Sequence, residues 1–255
     1  MADKTHGALT QRERWEGHWQ REKKGHPDGY IFDGILRPLL PQGGDYLEIG
    51  CAPGATMAYF HRNYGYRVCG IDYAGIPLVQ DTMRHYGIGE YEAIDADFLT
   101  YRFPEGRQFD VVASFGFIEH FSDFRAVLLR QAALVRPGGH LVCEVPNLRG
   151  LNYLLFRLLQ PRELEGHNLA AMAPSAIADP LRRYGFRIRY ARYVGTCFVH
   201  FDAQNPYLAD HPARLRLVRA ARQALGAVGL GNAPSAWLSP YIVVVATRDV
   251  QGKGT

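Results

Sequence analysis

The chain is poor in lysine: only four of its 29 basic residues are Lys, and the 25 arginines are spread along 255 residues. Without a basic stripe interleaved with aromatics, the net charge of +4 and the pI near 8.9 do not mark a nucleic-acid groove. The one concentration, nine arginines between residues 182 and 222, reads first as solvated helix and strand faces and second as an anion site. Cysteine is scarce too. Cys51, Cys69, Cys143 and Cys197 are widely separated, form no CxxC pair and mostly sit in apolar runs, which excludes a disulfide scaffold and fits reduced core residues. No window approaches the ~18 consecutive apolar residues of a membrane span. The polar, charged first 24 residues do not read as a signal peptide, so the cytoplasm is the expected compartment. Repeats and low-complexity tracts are missing. No pair or trio of His, Cys, Asp or Glu has metal-ligand spacing, so no metal is expected.

What the chain has is a single informative stretch, residues 45–60, in which a short apolar run ends in Glu48-Ile-Gly-Cys-Ala-Pro-Gly54. That order reads as strand, tight glycine loop, then helix, and such a turn brings backbone N–H groups and a helix N-terminus against a ligand. Gly50 and Gly54 permit positive φ or close approach, and small Ala52 keeps the loop open. A second β-branched run, residues 67–74, carries Asp72, 18 residues beyond Gly54, where a strand-end carboxylate can accept from ribose hydroxyls. No GxGxxG is present, which argues against a dinucleotide oxidoreductase.

With 47% hydrophobic residues the chain can bury one full core. Residues 1–44 form a polar lead in which Trp15 and Trp19 lie four apart on one helix face, able to pack on the core or close over a ligand. Short apolar runs at 46–50, 67–72, 91–95, 109–115 and 139–145 alternate with helical segments. The last of these segments is marked by Phe124, Val127, Leu128, Leu134 and Val135 and ended by Pro137-Gly138-Gly139. Further strands are expected at 186–201 and 240–247. The predicted fold is α/β, a Rossmann-like doubly wound, seven-stranded, mostly parallel sheet with helices on both faces. The predicted organisation is a lid or cap at 1–44 and a domain at 45–250, with insertions at 148–170 and 203–235. The first insertion holds a leucine face (148, 151, 154, 155, 158, 159) that reads as core packing, a lid or a dimer contact.

Together these residues resemble the class I S-adenosylmethionine-dependent methyltransferases, in the family's order from residue 45 to residue 245. Glu48 to Gly54 looks like the first motif, Gly70-Ile-Asp72-Tyr the second and Asp97-Phe98-Leu99 the acidic-apolar pair after strand three. Phe109 to His120 looks like the fourth-strand signature, Leu134 to Pro146 the fifth, and Tyr184-Gly-Phe186 and Ser239 to Val245 introduce the closing strands. Ala52, where the family usually has glycine, is the one departure. The resemblance implies S-adenosyl-L-methionine as cofactor. It places Gly50 to Gly54 by the methionine moiety, Glu48 supporting the loop or the ammonium group, Asp72 on the ribose and Tyr73 near the adenine. Asp97 would take the adenine amine, with Asp95 as competitor, Phe98 would offer a backbone N–H or apolar face, and Phe115 would border the cofactor from the end of strand four.

Methyl transfer is largely a matter of positioning, but a protonated oxygen or nitrogen acceptor also calls for a general base. His167, in Glu165-Gly-His-Asn168, is the preferred base; His120 is the alternative, also readable as a structural histidine bonded to backbone, and His200 a distant third. The expected reaction is O- or N-methylation of a small-molecule or sugar-derived acceptor. A lipidic or quinone-like acceptor is kept open by the leucine face, and a cofactor-binding protein without catalysis is the alternative from another class. No nucleic-acid partner is expected, and a dimer is one use of the leucine face.

Overall fold

The computed structural model describes residues 7–10, 12, 15, 26, 27, 29–159, 161–195, 213, 216, 220, 223, 224, 226, 227 and 233–250. The sequence expectations for Trp19, Cys197, His200 and most of 203–235 therefore lie outside the described residues.

Seven strands form one sheet: β1 (Gly44–Ile49), β2 (Tyr66–Asp72), β3 (Tyr91–Asp95), β4 (Phe109–Phe115), β5 (Val135–Pro146), β6 (Phe186–Val194) and β7 (Tyr241–Arg248). Their order is β3-β2-β1-β4-β5-β7-β6. All pairs from β3 to β5 are parallel, and β7 runs antiparallel between β5 and β6. The expected doubly wound sheet is thus present. Because the chain moves one way from β1 to β3 and the other way from β4 onward, the carboxyl ends of β1 and β4 flank a crevice, the place where such sheets take ligands.

Side chains alternate between two cores, as the period of two requires. Leu47, Ile49, Ile71, Val112, Leu141 and Val145 face one core. Tyr46, Val68, Val111, Val142, Val243 and Val245 face the other. Helices α1 (Asp33–Leu36), α2 (Ala55–Tyr64) and α3 (Ile76–His85) supply Leu36, Met57, Phe60, Val79 and Met83 to the second core. Helix α4 (Phe124–Ala133) supplies Phe124, Val127 and Leu128 to the first. Each helix has a local reason to start or stop. Gly54 and Gly65 bound α2 with left-handed backbone, Pro77 opens α3, and the Asp123 carboxylate accepts from the Ala126 N–H at the start of α4.

One boundary differs from the expectation. Leu134 and Val135 read as the tail of a helix, but α4 ends at Ala133 and Val135 pairs with Phe109. The next pair is Val111 with His140, so residues 136–139 bulge opposite Asp110 alone. Arg136 bridges to Asp110 there, and tertiary pairing overrides the helical period.

Helices α5 (Leu151–Leu159) and α6 (Pro161–Glu165) follow β5, and α7 (Pro174–Arg183) leads into β6. The leucine face is split: Leu148 is buried and Leu151 and Leu155 pack against the core, whereas Leu154 and Leu158 are exposed. Several bonds tie the lead to the domain, among them Asn63 Nδ2 to the Pro27 carbonyl at 2.9 Å. Asp33 accepts from the Tyr59 and Tyr64 hydroxyls and from Arg37 Nε. Leu9 N–H donates to the His120 carbonyl at 2.7 Å and Ser122 N–H to that of Gly7 at 2.8 Å.

Candidate active site

The loop between β1 and α2 is built around closeness. Gly50 has φ +72°, and a Cβ there would stand 2.7 Å from the Phe117 ring. Gly54 has φ +94°, and a Cβ there would stand 3.0 Å from Val79 Cα. The sequence suggested that the loop offers its own N–H groups to a ligand; the structure uses them internally. Gly50 N–H donates to the Ile71 carbonyl at 2.9 Å, Gly54 N–H to that of Cys51 at 2.7 Å and Ala52 N–H to Asp72 Oδ2 at 3.3 Å. Pro53 has none to give. The donors aimed outward are those of the first turn of α2, Ala55 to Met57, since the first intrahelical bond is from Ala58 N–H to the Gly54 carbonyl.

Asp72 ends β2 buried, and its carboxylate holds two loops together. Oδ1 accepts from the N–H groups of Ala74 at 2.8 Å and Gly75 at 3.0 Å, while Oδ2 takes Ala52. Oδ2 therefore keeps a lone pair for a ligand hydroxyl, and Oδ1 has its capacity filled. Burial raises the Asp72 pKa from its ordinary value, against the lowering effect of its bonds from the Ala74, Ala52 and Gly75 N–H groups. Glu48, at the end of β1, is pushed up to about 8 by burial, with the Asp72 charge adding to the shift and a 2.9 Å bond from the Tyr46 hydroxyl opposing it.

Glu48 therefore gives a pH test. Its native pKa lies above the unfolded value near 4.5, so the native state binds the extra proton between those limits and loses stability as pH rises through them. The groups facing it, Tyr46, Tyr30, Cys51 and Asp72, have raised pKa values as well. Thermal melts of the ligand-free protein should show Tm falling from about pH 5 to about pH 8, with Glu48→Gln flattening part of that slope. An unchanged slope in the variant would remove Glu48 from the account.

Among the other expected residues, Tyr73 is half-buried beside Asp72. Asp97 Oδ1 accepts from the Leu99 N–H at 2.8 Å, the turn role that competed with a ligand role. Asp95, its competitor, is exposed on the strand edge opposite Asp72. Phe98 is buried against Phe117, and its carbonyl accepts from Arg130 Nε at 2.9 Å. Phe115 stacks on Phe60 and meets the Tyr30 ring edge-on at 5.7 Å.

Beyond β4 the chain makes a single 3-10 turn, Ile118–His120, and the two candidate bases come together there across 47 positions of sequence. The His120 and His167 rings lie 4.5 Å apart, and Trp15 from the lead stands edge-on to His120 at 4.8 Å. His120 Nδ1 lies 2.8 Å from the Gly166 carbonyl, to which it must donate. Glu119 shares the turn, buried.

Three residues that sequence reasoning passed over belong to this edge. Glu144 on β5 is buried and pushed up to about 8 by burial. Tyr30 reaches back from the lead, its proton held by burial and by the charges of Glu144 and Glu48. Glu119 was noted only as part of a strand signature. An acid inside an apolar strand, as in Val142-Cys-Glu-Val145, was the available signal for Glu144; Tyr30 had none.

A cationic nucleoside fits this edge because the buried carboxyls of Glu48 on β1 and Asp72 on β2 have their proton affinities raised, a pair that a positive charge would relieve.

Comparison with known proteins agrees with this geometry. A family model described as a methyltransferase domain matches residues 21–191. An uncharacterized methyltransferase of Mycobacterium tuberculosis (strain H37Rv) is 30% identical over 122 residues, 46% of this chain and 60% of that one. A ubiquinone biosynthesis O-methyltransferase of Stutzerimonas stutzeri is 30% identical over 141 residues, 52% of this chain and 58% of that one. The chain thus spans about 60% of the length of these curated relatives. Among solved structures, geranyl diphosphate C-methyltransferase from Streptomyces coelicolor, in complex with Mg2+, geranyl diphosphate and S-adenosyl-L-homocysteine, superposes with TM-score 0.59 at 13% identity, covering 93% of this chain and 97% of that one. At that identity the likeness speaks for the fold.

Proposed function

Because the chain belongs to the class I S-adenosylmethionine-dependent methyltransferases, we propose that it methylates an oxygen, or a nitrogen, of a small-molecule acceptor. When bound, S-adenosyl-L-methionine supplies an electrophilic methyl group on a sulfonium. The chain's own part is to hold that donor and bring the acceptor in line. Glu48 and Asp72 give the donor's positive and ribose ends their partners, and Gly50 and Gly54, both with positive φ, hold the loop between them in the turn that sets these carboxyls beside the start of α2. Asp97, Phe98, Tyr73 and Phe115 form the adenine side of this reading.

The observation that carries the acceptor side is the meeting of His120 and His167 beyond β4, with Trp15 against them. His120 is oriented by the Gly166 carbonyl with its Nε2 side toward Glu119, and the half-buried His167 is the group assigned to take a proton from the acceptor. The lead at 1–44 acts as the cap and 148–170 as the second cover, which excludes water and so favours the aligned geometry. No helix among the described residues is long and apolar enough to cross a membrane, and we place the reaction in the cytoplasm.

A lipidic or quinone-like acceptor is favoured by a second observation. An open groove of about 480 Å³ is lined by Arg149, Tyr153, Leu154, Leu169 and Trp237, with Leu158 and Trp237 exposed nearby. Its apolar floor and single arginine suit a hydrophobic acceptor with an anionic or oxygen-rich head.

The test is transfer of a labelled methyl group to a panel of phenolic, sugar and quinol acceptors. His167→Ala should lower kcat by ~10²-fold or more while donor affinity stays within a few-fold. Full turnover in that variant on the true acceptor would move the proton acceptor away from His167. Donor binding with no transfer to any acceptor would favour a binding protein.

A further inference from the structure

Glu119 is only 1% exposed, and neither carboxylate oxygen has a hydrogen-bond partner among the described residues. Isolating a carboxyl in this way is costly unless a proton or a cation sits on it. His120 Nε2 stands 3.7 Å from Oε1, too far for a hydrogen bond. With Nδ1 committed as donor to the Gly166 carbonyl, the His120 ring presents Nε2 on the side of the Glu119 carboxyl.

His167 completes the set. One ligand atom from each of Glu119, His120 and His167, two nitrogens and one oxygen, lies within 4.8 Å of the others. Ligands of a tetrahedral zinc stand ~3.3 Å apart, so a small inward movement of the rings would suffice. The supporting bonds are those expected behind metal ligands. The Gly166 carbonyl fixes the His120 ring, and Asn168 N–H donates to the Glu119 carbonyl at 2.6 Å. Asn168 Nδ2 donates to the carbonyls of Phe121 and Ser122, both at 3.0 Å. The 166–168 segment is therefore pinned on the 3-10 turn independently of any ion.

We propose that Glu119, His120 and His167 bind one divalent transition-metal ion. Two imidazoles and a carboxylate suit zinc and its neighbours rather than calcium or magnesium, and three protein ligands leave a position open to water or to an acceptor oxygen. The inference deepens the acceptor-site reading and rests on it for that last role. With the ion in place His167 is a ligand, and the ion takes over the task of making an acceptor hydroxyl more acidic. The sequence hid the site because its ligands are separated by 47 positions.

The test needs no turnover. Protein stripped with chelator should take up one equivalent of Zn2+ by calorimetry, and Co2+ should give visible d–d bands of a low-coordinate site with the same stoichiometry. Glu119→Gln, which removes the isolated charge, and His167→Ala should each weaken Zn2+ binding by at least ~100-fold, more than loss of a supporting residue costs. Both variants should still bind S-adenosylhomocysteine, so a failed metal test leaves the donor reading standing. If Glu119→Gln does not fold, His167→Ala decides alone. No stoichiometric uptake of either ion, or unchanged affinity in the folded variants, overturns the proposal.

Discussion

Gly54→Val should abolish donor binding and lower the melting temperature together. At φ +94° a β-branched residue is forced into backbone that L side chains avoid, and its Cβ would press within 3.0 Å of Val79 Cα and 3.2 Å of Val79 Cγ1. The first contact is to backbone, so no rotamer change relieves it. Strain of this kind costs about 1–3 kcal/mol and overpacking a similar amount. The loop would relieve it by moving α2 off α3, which displaces the outward N–H groups at the start of α2 from the cradle. Melting curves and calorimetry with S-adenosylhomocysteine check this. Wild-type melting with wild-type affinity would show that the loop is not the binding element.

Asp72→Ala should weaken donor binding by roughly tenfold or more, since a hydrogen bond to a charged group is worth ~1.5–3 kcal/mol. Read from sequence, the carboxylate is reserved for ribose hydroxyls. In the structure it also satisfies the N–H groups of Ala52, Ala74 and Gly75. Each buried donor left without an acceptor costs ~1–3 kcal/mol, so the variant should also melt lower. The two effects separate in Asp72→Asn, whose remaining carbonyl oxygen can keep the Ala74 and Gly75 bonds while the charge is lost. Affinity should still fall there, and most of the stability should return. An unchanged dissociation constant in both variants would assign the ribose to another residue.

The parts of the fold legible in the sequence are those with local causes. Buried parallel strands such as Val111 to Ser114 read as continuous apolar runs, and the glycine loop advertises itself because its backbone conformation demands particular residues. The start of β5 was hidden, because Leu134 and Val135 continue a helical period until pairing with β4 claims Val135. The candidate site divides in the same way. Glu48 and Asp72 sit at the ends of β1 and β2 and Gly54 at the start of α2, whereas the contact between His120 and His167 is made by a segment returning from beyond β5. Trp15, signalled by its four-residue spacing from Trp19, and Tyr30, which follows no such spacing, both reach the site from the lead.

The most direct measurement is a calorimetric titration of the purified chain with S-adenosyl-L-methionine, S-adenosylhomocysteine and NAD. The account predicts one site per chain for the first two, lost in Gly54→Val, and no heat of binding for NAD. Saturable NAD binding with no response to S-adenosylhomocysteine would contradict it.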